Sequence, residues 1–159
     1  MTTISETYNK MLTDGTNDAE RVGWGSVDSQ AKRFRVLSEI GNLDNDSVLD
    51  VGCGLGAYFD YIHNVYPNLS YAGVDINLNM IQGAQQRHSN IEFIHTDIVA
   101  DTHALNDRKF DYVFLSGALN LSVDGHHDTI ESIMKEMFAL ANKGVAANFL
   151  SIFSDYLTP

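Results

Sequence analysis

Two hydrophobic periods take turns along the chain. Five short apolar runs rich in β-branched and aromatic residues, "SVLDV" (47–51), "LSYAGVD" (69–75), "IEFIHTD" (91–97), "FDYVFLSG" (110–117) and "VAANFL" (145–150), predict five strands. Between them the period changes to that of a helix. In "QAKRFRVLSEI" (30–40), Ala31, Phe34, Leu37 and Ile40 recur at helical spacing, Asp28 or Ser29 offers an N-cap, and Gly41 ends the run. "AYFDYIHNV" (57–65) closes before Pro67, and "NLNMIQGAQQR" (77–87) is the next helix. "DTIESIMKEMFALA" (128–141) is strongly amphipathic and is expected to end at Lys143 and Gly144. The segment around 100–106 is a weaker connection, and the polar first ~25 residues read as an arm or a short helix around Tyr8 to Leu12. Strands alternating with helices predict an α/β fold, a doubly wound parallel sheet covered on both faces.

With 159 residues, 44% of them hydrophobic and 19% charged, the chain suits a single globular domain. No repeat, low-complexity tract or Pro/Gly-rich linker marks a boundary, so the expected division is an arm over 1–28 and a domain over 29–159. No apolar run approaches the ~20 residues of a membrane span. "MTTISETYNKML" lacks the order of a secretory signal, and the single cysteine, Cys53, excludes an internal disulfide. A cytoplasmic protein is expected. The formal charge of −11 and ten scattered Lys and Arg residues, dense only at "AKRFR" (31–35), weigh against a nucleic-acid partner.

The chemistry concentrates in "VLDVGCGLG" (48–56). Gly52, Gly54 and Gly56 follow a strand and open a helix, where a parallel sheet of this kind binds ligands. Two ligand classes compete. Gly52, Gly54 and Ala57 satisfy the G-x-G-x-x-A form of a dinucleotide site, which would make the chain an NAD-type oxidoreductase. A pyrophosphate on a helix N-terminus, however, wants no carboxylate beside it, and Asp50 stands two residues before Gly52. An acid there suits a cationic ligand.

"VLDVGCGLG", "YAGVDIN" and "FIHTDI", in that order, resemble the class I S-adenosylmethionine-dependent methyltransferases from about Ser29 to Leu150. The resemblance implies a Rossmann-like fold, S-adenosylmethionine as cofactor and S-adenosylhomocysteine as product. It places Asp50, Gly52, Gly54 and Gly56 around the methionine part, Asp75 on the ribose hydroxyls, and Ile76 and Asn77 beside the adenine. Asp97 would take the adenine amino group and Ile98 would add a backbone contact. Each aspartate alone also reads as a turn or helix-cap residue.

The acceptor is less legible. Ser116 and Gly117 end the fourth strand and should approach the cofactor, and Asn120 could orient an acceptor. The segment lacks the Asn/Asp-Pro-Pro-aromatic motif of nucleobase-amino methyltransferases, which favours a small-molecule acceptor. His126 and His127 could supply a general base, or simply occupy an exposed helix start. No Cys/His/Glu grouping suggests a metal. In "RVGWGSVDSQAKRF" (21–34), Arg33 could pair with the cofactor carboxylate, and Trp24 or Tyr8 could cover the sulfonium face. The blander alternative makes Trp24 a core residue and Arg33 a solvated one.

Family members continue past the fifth strand with a helix and a β-hairpin. Only five strands are read here, so the expectation is a form truncated after the fifth strand. The alternative reading is then an unfinished acceptor pocket, a cofactor-binding domain without a complete active site. "VAANFLSIF" (145–153) would become an apolar edge, covered by the chain's own tail or by self-association.

Overall fold

The structure is a computed structural model and describes residues 4–15, 17–21, 26–101, 103–118 and 126–149; of Ile4, Ser5, Asp18, His126 and His127 it describes the backbone alone. Five strands, β1 (Ser47–Val51), β2 (Ser70–Asp75), β3 (Glu92–His95), β4 (Phe110–Ser116) and β5 (Ala141–Asn148), form one parallel sheet in the order β3-β2-β1-β4-β5. Six helices accompany them: α1 (Ile4–Asp14), α2 (Asp18–Arg21), α3 (Val27–Ser38), α4 (Ala57–Val65), α5 (Leu78–Arg87) and α6 (His126–Leu140). The chain leaves β1 toward β2 on one side and returns to β4 on the other. Strand order therefore reverses at β1, and the carboxyl ends of β1 and β4 part to leave a crevice.

Strand alternation divides the core between the two faces of the sheet. Val48, Tyr71 and Phe114 join Phe34, Leu37, Tyr58 and Ile62 on one face. Leu49, Val51, Ala72, Val74, Val113 and Leu115 join Met137 on the other. Val48, Leu49, Val113, Phe114 and Leu115 are each 0% exposed. Burying each such side chain contributes about 1.5–3 kcal/mol, which is why these apolar runs form the central strands.

Three sequence expectations are corrected. The α3 N-cap is Ser26, whose hydroxyl accepts the Ser29 amide at 3.1 Å, rather than Asp28 or Ser29. The buried face of α3 carries Gln30, Phe34, Leu37 and Ser38, so the stripe is rotated from the one expected and Ala31 is exposed. Finally, α6 ends at Leu140, and Lys143 and Gly144 lie inside β5. Tertiary pairing overrides the local stop signal: Gly144 is in register with Tyr112, and Lys143 pairs with Asp46 and Asp111 at the opposite end of the sheet from the crevice. The "SDYLTP" tail and the end of the expected fifth strand lie outside the described residues.

Candidate functional site

The crevice is built from the turn that leaves β1. The amides of Gly52 and Cys53 both reach the Val74 carbonyl, at 2.8 and 3.0 Å, which ties the turn to β2. Gly52 has φ +71°, and a Cβ there would lie 2.3 Å from the Ala118 Cβ. Only glycine lets the backbone pass between β1 and the β4 exit with its face bare. Gly56, in a left-handed conformation, starts α4 instead, and its missing Cβ faces His88 and Phe93.

A cleft opens above this turn, and most of the residues expected from sequence meet in it. Asp50, Gly52, Gly54, Asp75, Ile76, Asn77, Asp97, Ile98, Ser116 and Gly117 line it, as does Tyr8. Gly56 and Arg33 do not line it. Trp24 and Asn120, and the side chains of His126 and His127, fall outside the described residues.

Asp75, at the end of β2, is held on both oxygens. Gly54 donates its amide to Oδ2 at 2.9 Å, and Asn77 donates its amide to Oδ1 at 2.8 Å. Burial pushes the Asp75 carboxyl above its ordinary value, while these two amides and nearby His95 pull it back. Asp97 Oδ1 accepts the amides of Val99 and Ala100 at 2.9 and 3.3 Å, so it caps the turn after β3 and also lines the cleft. Asp50 sits on the aromatic face of the sheet, 2% exposed, and accepts the Tyr71 hydroxyl at 2.7 Å. Burial pushes its carboxyl up to about 7; the Tyr71 bond opposes that shift and the charge of Asp75 adds to it. A carboxylate buried without a cation is electrostatically incomplete.

Four contributors were not anticipated from the sequence. Asn148, at the end of β5, accepts the Gly117 amide at 3.0 Å and donates to the Ser116 hydroxyl at 3.1 Å, fixing the β4 exit. Asn9 of α1 accepts from the side-chain amides of Asn77 and Asn79 at 3.0 and 2.9 Å, which holds α1 beside the cleft. Tyr71 orients Asp50 from the neighbouring strand, and Gln30 faces the cleft from α3. Single polar residues inside apolar or polar runs gave no sequence signal for any of these roles.

A family profile described as a methyltransferase domain matches residues 48–144, more than half of the chain. This chain belongs to the class I S-adenosylmethionine-dependent methyltransferases. Over 120 residues the methyltransferase chain is 31% identical to a Mycobacterium tuberculosis protein provisionally named a methyltransferase, covering 70% of this chain and 68% of the other. It is 30% identical over 123 residues to the malonyl-[acyl-carrier protein] O-methyltransferase of Acetivibrio thermocellus, covering 74% of this chain and 41% of that one. It thus spans about two-fifths of the length of several curated relatives. The Bradyrhizobium japonicum N-methyltransferase NodS, solved with S-adenosyl-L-homocysteine, shares the fold with a TM-score of 0.65 at 19% identity, covering 91% of this chain and 71% of that one. The five-stranded order of this methyltransferase is thus a shared architecture, and its cleft lies where that architecture binds ligands.

Proposed function

We propose that this chain binds S-adenosylmethionine in the cleft above β1–β4 and transfers its methyl group to a small-molecule acceptor. The observation that carries the reading is the convergence of three strand-end carboxylates, Asp50, Asp75 and Asp97, on one cleft floored by Gly52 and Gly54. The residues fit the group. A nucleoside joined to a cationic amino acid needs acceptors for ribose hydroxyls, an acceptor for an amino group and a carboxylate near an ammonium, and a bare backbone between them. A pyrophosphate would instead meet Asp50.

When bound, S-adenosylmethionine supplies an electrophilic methyl group on a positively charged sulfur. Asp75 receives the ribose hydroxyls, oriented by the amides of Gly54 and Asn77. Asp97, Ile98, Ile76 and Asn77, which line the same cleft, would hold the adenine. Asp50, whose carboxyl burial raises to about 7, would stand beside the cationic end of the cofactor, where a positive charge favours its ionised form. Ser116 and Gly117, held by Asn148, face the acceptor side. Residues 1–28 cover the cofactor in this reading, supported by Tyr8 in the cleft wall and by Asn9 on Asn77 and Asn79. Positioning and exclusion of water then account for much of the catalysis, as in-line displacement requires no protein nucleophile. Asn120, His126 and His127 remain the candidates for orienting or deprotonating the acceptor.

The formal charge of −11 supports a small acceptor over nucleic acid. No helix among the described residues is long and apolar enough to cross a membrane. The test is incubation with methyl-labelled S-adenosylmethionine and a panel of small amines, carboxylates and phenols, alongside RNA. Label in a small molecule is expected. Label in RNA alone would overturn the acceptor class, and bound cofactor without transfer to anything would reduce the chain to a binding domain.

A further inference from the structure

Asn148 leaves the Ser116 hydroxyl with a hydrogen to give. The two residues stand side by side in register at the carboxyl ends of β4 and β5. A backbone amide can only donate, so the side-chain atom 3.0 Å from the Gly117 amide is the Asn148 oxygen. The Asn148 nitrogen is then the atom that donates to Ser116 Oγ at 3.1 Å, and the orientation of the carboxamide is fixed. Ser116 Oγ accepts that bond, and its own hydrogen finds no acceptor among the described residues. Ser116 is half-buried and lines the cleft, so a ligand there is the partner available to it.

Position assigns this donor to the acceptor side of the cleft. Asp75 ends β2 and Asp97 follows β3, on one side of β1 in the strand order, whereas Ser116 and Asn148 end the two strands on the other side. Asp50 is in register with Phe114, so Ser116 stands two residues, about 6.6 Å, further along the sheet. Leu115, Ala118 and Ile133 make the neighbouring wall apolar, which leaves the Ser116 hydroxyl as a directional polar contact there.

Resting on the methyl-transfer reading above, we propose that Ser116 selects a carboxylate as the methyl acceptor, with Asn148 the residue that positions its hydroxyl. The lone pairs of the competing acceptor groups decide the class. An amine has one lone pair, which attack consumes, and none is left for the Ser116 hydrogen. A phenolate oxygen keeps others, but a donor there withdraws electron density from the atom that must attack. A carboxylate separates the two tasks: one oxygen takes the Ser116 hydrogen while the other forms the new bond to the methyl carbon. The carbon–sulfur bond breaks with its electron pair left on sulfur, and the products are a methyl ester and a neutral thioether. No proton changes hands, so this transfer needs no general base.

The full chain, Ser116→Ala and Ser116→Thr are each incubated with methyl-labelled S-adenosylmethionine and matched small carboxylates, amines and phenols. S-adenosylhomocysteine is titrated calorimetrically into each protein in parallel. Alkali releases the label of a methyl ester as methanol, whereas amine and ether methyls resist it. The wild type is expected to place alkali-labile label on carboxylates. Ser116→Ala should raise the KM for the carboxylate by about ten- to a hundred-fold, the range for a hydrogen bond to a charged group. Its kcat should change much less and its affinity for S-adenosylhomocysteine should match the wild type. Threonine keeps the hydroxyl, so Ser116→Thr should retain a KM near that of the wild type. Alkali-stable label, transfer to no carboxylate, an unchanged KM in Ser116→Ala, or S-adenosylhomocysteine weakened in step with KM would each overturn the proposal while leaving the cofactor reading in place. A wild type that does not bind S-adenosylhomocysteine would overturn the cofactor reading and this proposal with it.

Discussion

Asp50 offers the sharpest test of whether this cleft is built around a cation. Its carboxyl has an ordinary value of 3.8 and is pushed up to about 7 in the fold, chiefly by burial. Between those values the folded chain holds a proton that the unfolded chain has released. Stability is therefore full below about pH 4, declines as pH rises through about 7, and is level above that. The whole displacement corresponds to about 4 kcal/mol, a large share of the 5–15 kcal/mol typical of a domain. Asparagine at this position cannot ionise, yet its Oδ1 can still accept the Tyr71 hydroxyl. Asp50→Asn should thus gain on the wild type by about 3 kcal/mol between pH 5 and pH 8.5, in the absence of ligand. Groups common to both proteins, including the raised Asp75, largely cancel in this difference. Urea unfolding of both proteins at the two pH values reads it directly. The same substitution should weaken S-adenosylmethionine, whose ammonium loses its carboxylate. A variant less stable than the wild type at pH 8.5, or a difference that does not change with pH, would refute the reasoning.

Other substitutions probe the frame around that carboxylate. Gly52→Ala places a Cβ 2.3 Å from that of Ala118 at φ +71°; it should cost at least about 1–2 kcal/mol of stability in a urea melt and abolish calorimetric cofactor binding. Asn148→Ala removes both bonds that hold Ser116 and Gly117; an expected loss of about 1–3 kcal/mol should come with weaker cofactor binding, and unaltered binding would mean that the backbone alone fixes the β4 exit. Phe114→Ala empties a fully buried position in β4 and should destabilise by about 3–5 kcal/mol in urea unfolding.

The strands were legible because burial on both sides of a parallel sheet demands near-continuous apolar runs, as "SVLDV" and "FDYVFLS" display. The glycine turn and its carboxylates were legible for a related reason: backbone exposure at Gly52 and acids at strand ends leave a mark in residue type alone. What stayed hidden depends on contacts distant in sequence. Asn148 meets Gly117 across 31 residues and Asn9 meets Asn77 across 68, and neither asparagine differs locally from a turn residue. The rotation of α3 that buries Gln30 is small in sequence terms, since Ala31 looks like a core residue and Gln30 does not; packing against Tyr58 and Tyr61 sets it. Lys143 and Gly144 imitate a helix stop, but pairing with β4 and with Asp46 and Asp111 decides their conformation.

The central claim, that the glycine turn and the strand-end acids hold a methionine-derived nucleoside, is tested most directly by calorimetric titration of S-adenosylmethionine, S-adenosylhomocysteine and NAD into the wild type and Asp75→Ala. The account predicts saturable binding of the first two, lost in Asp75→Ala, and no binding of NAD. Binding of NAD alone, or cofactor binding that survives the loss of Asp75, would contradict it.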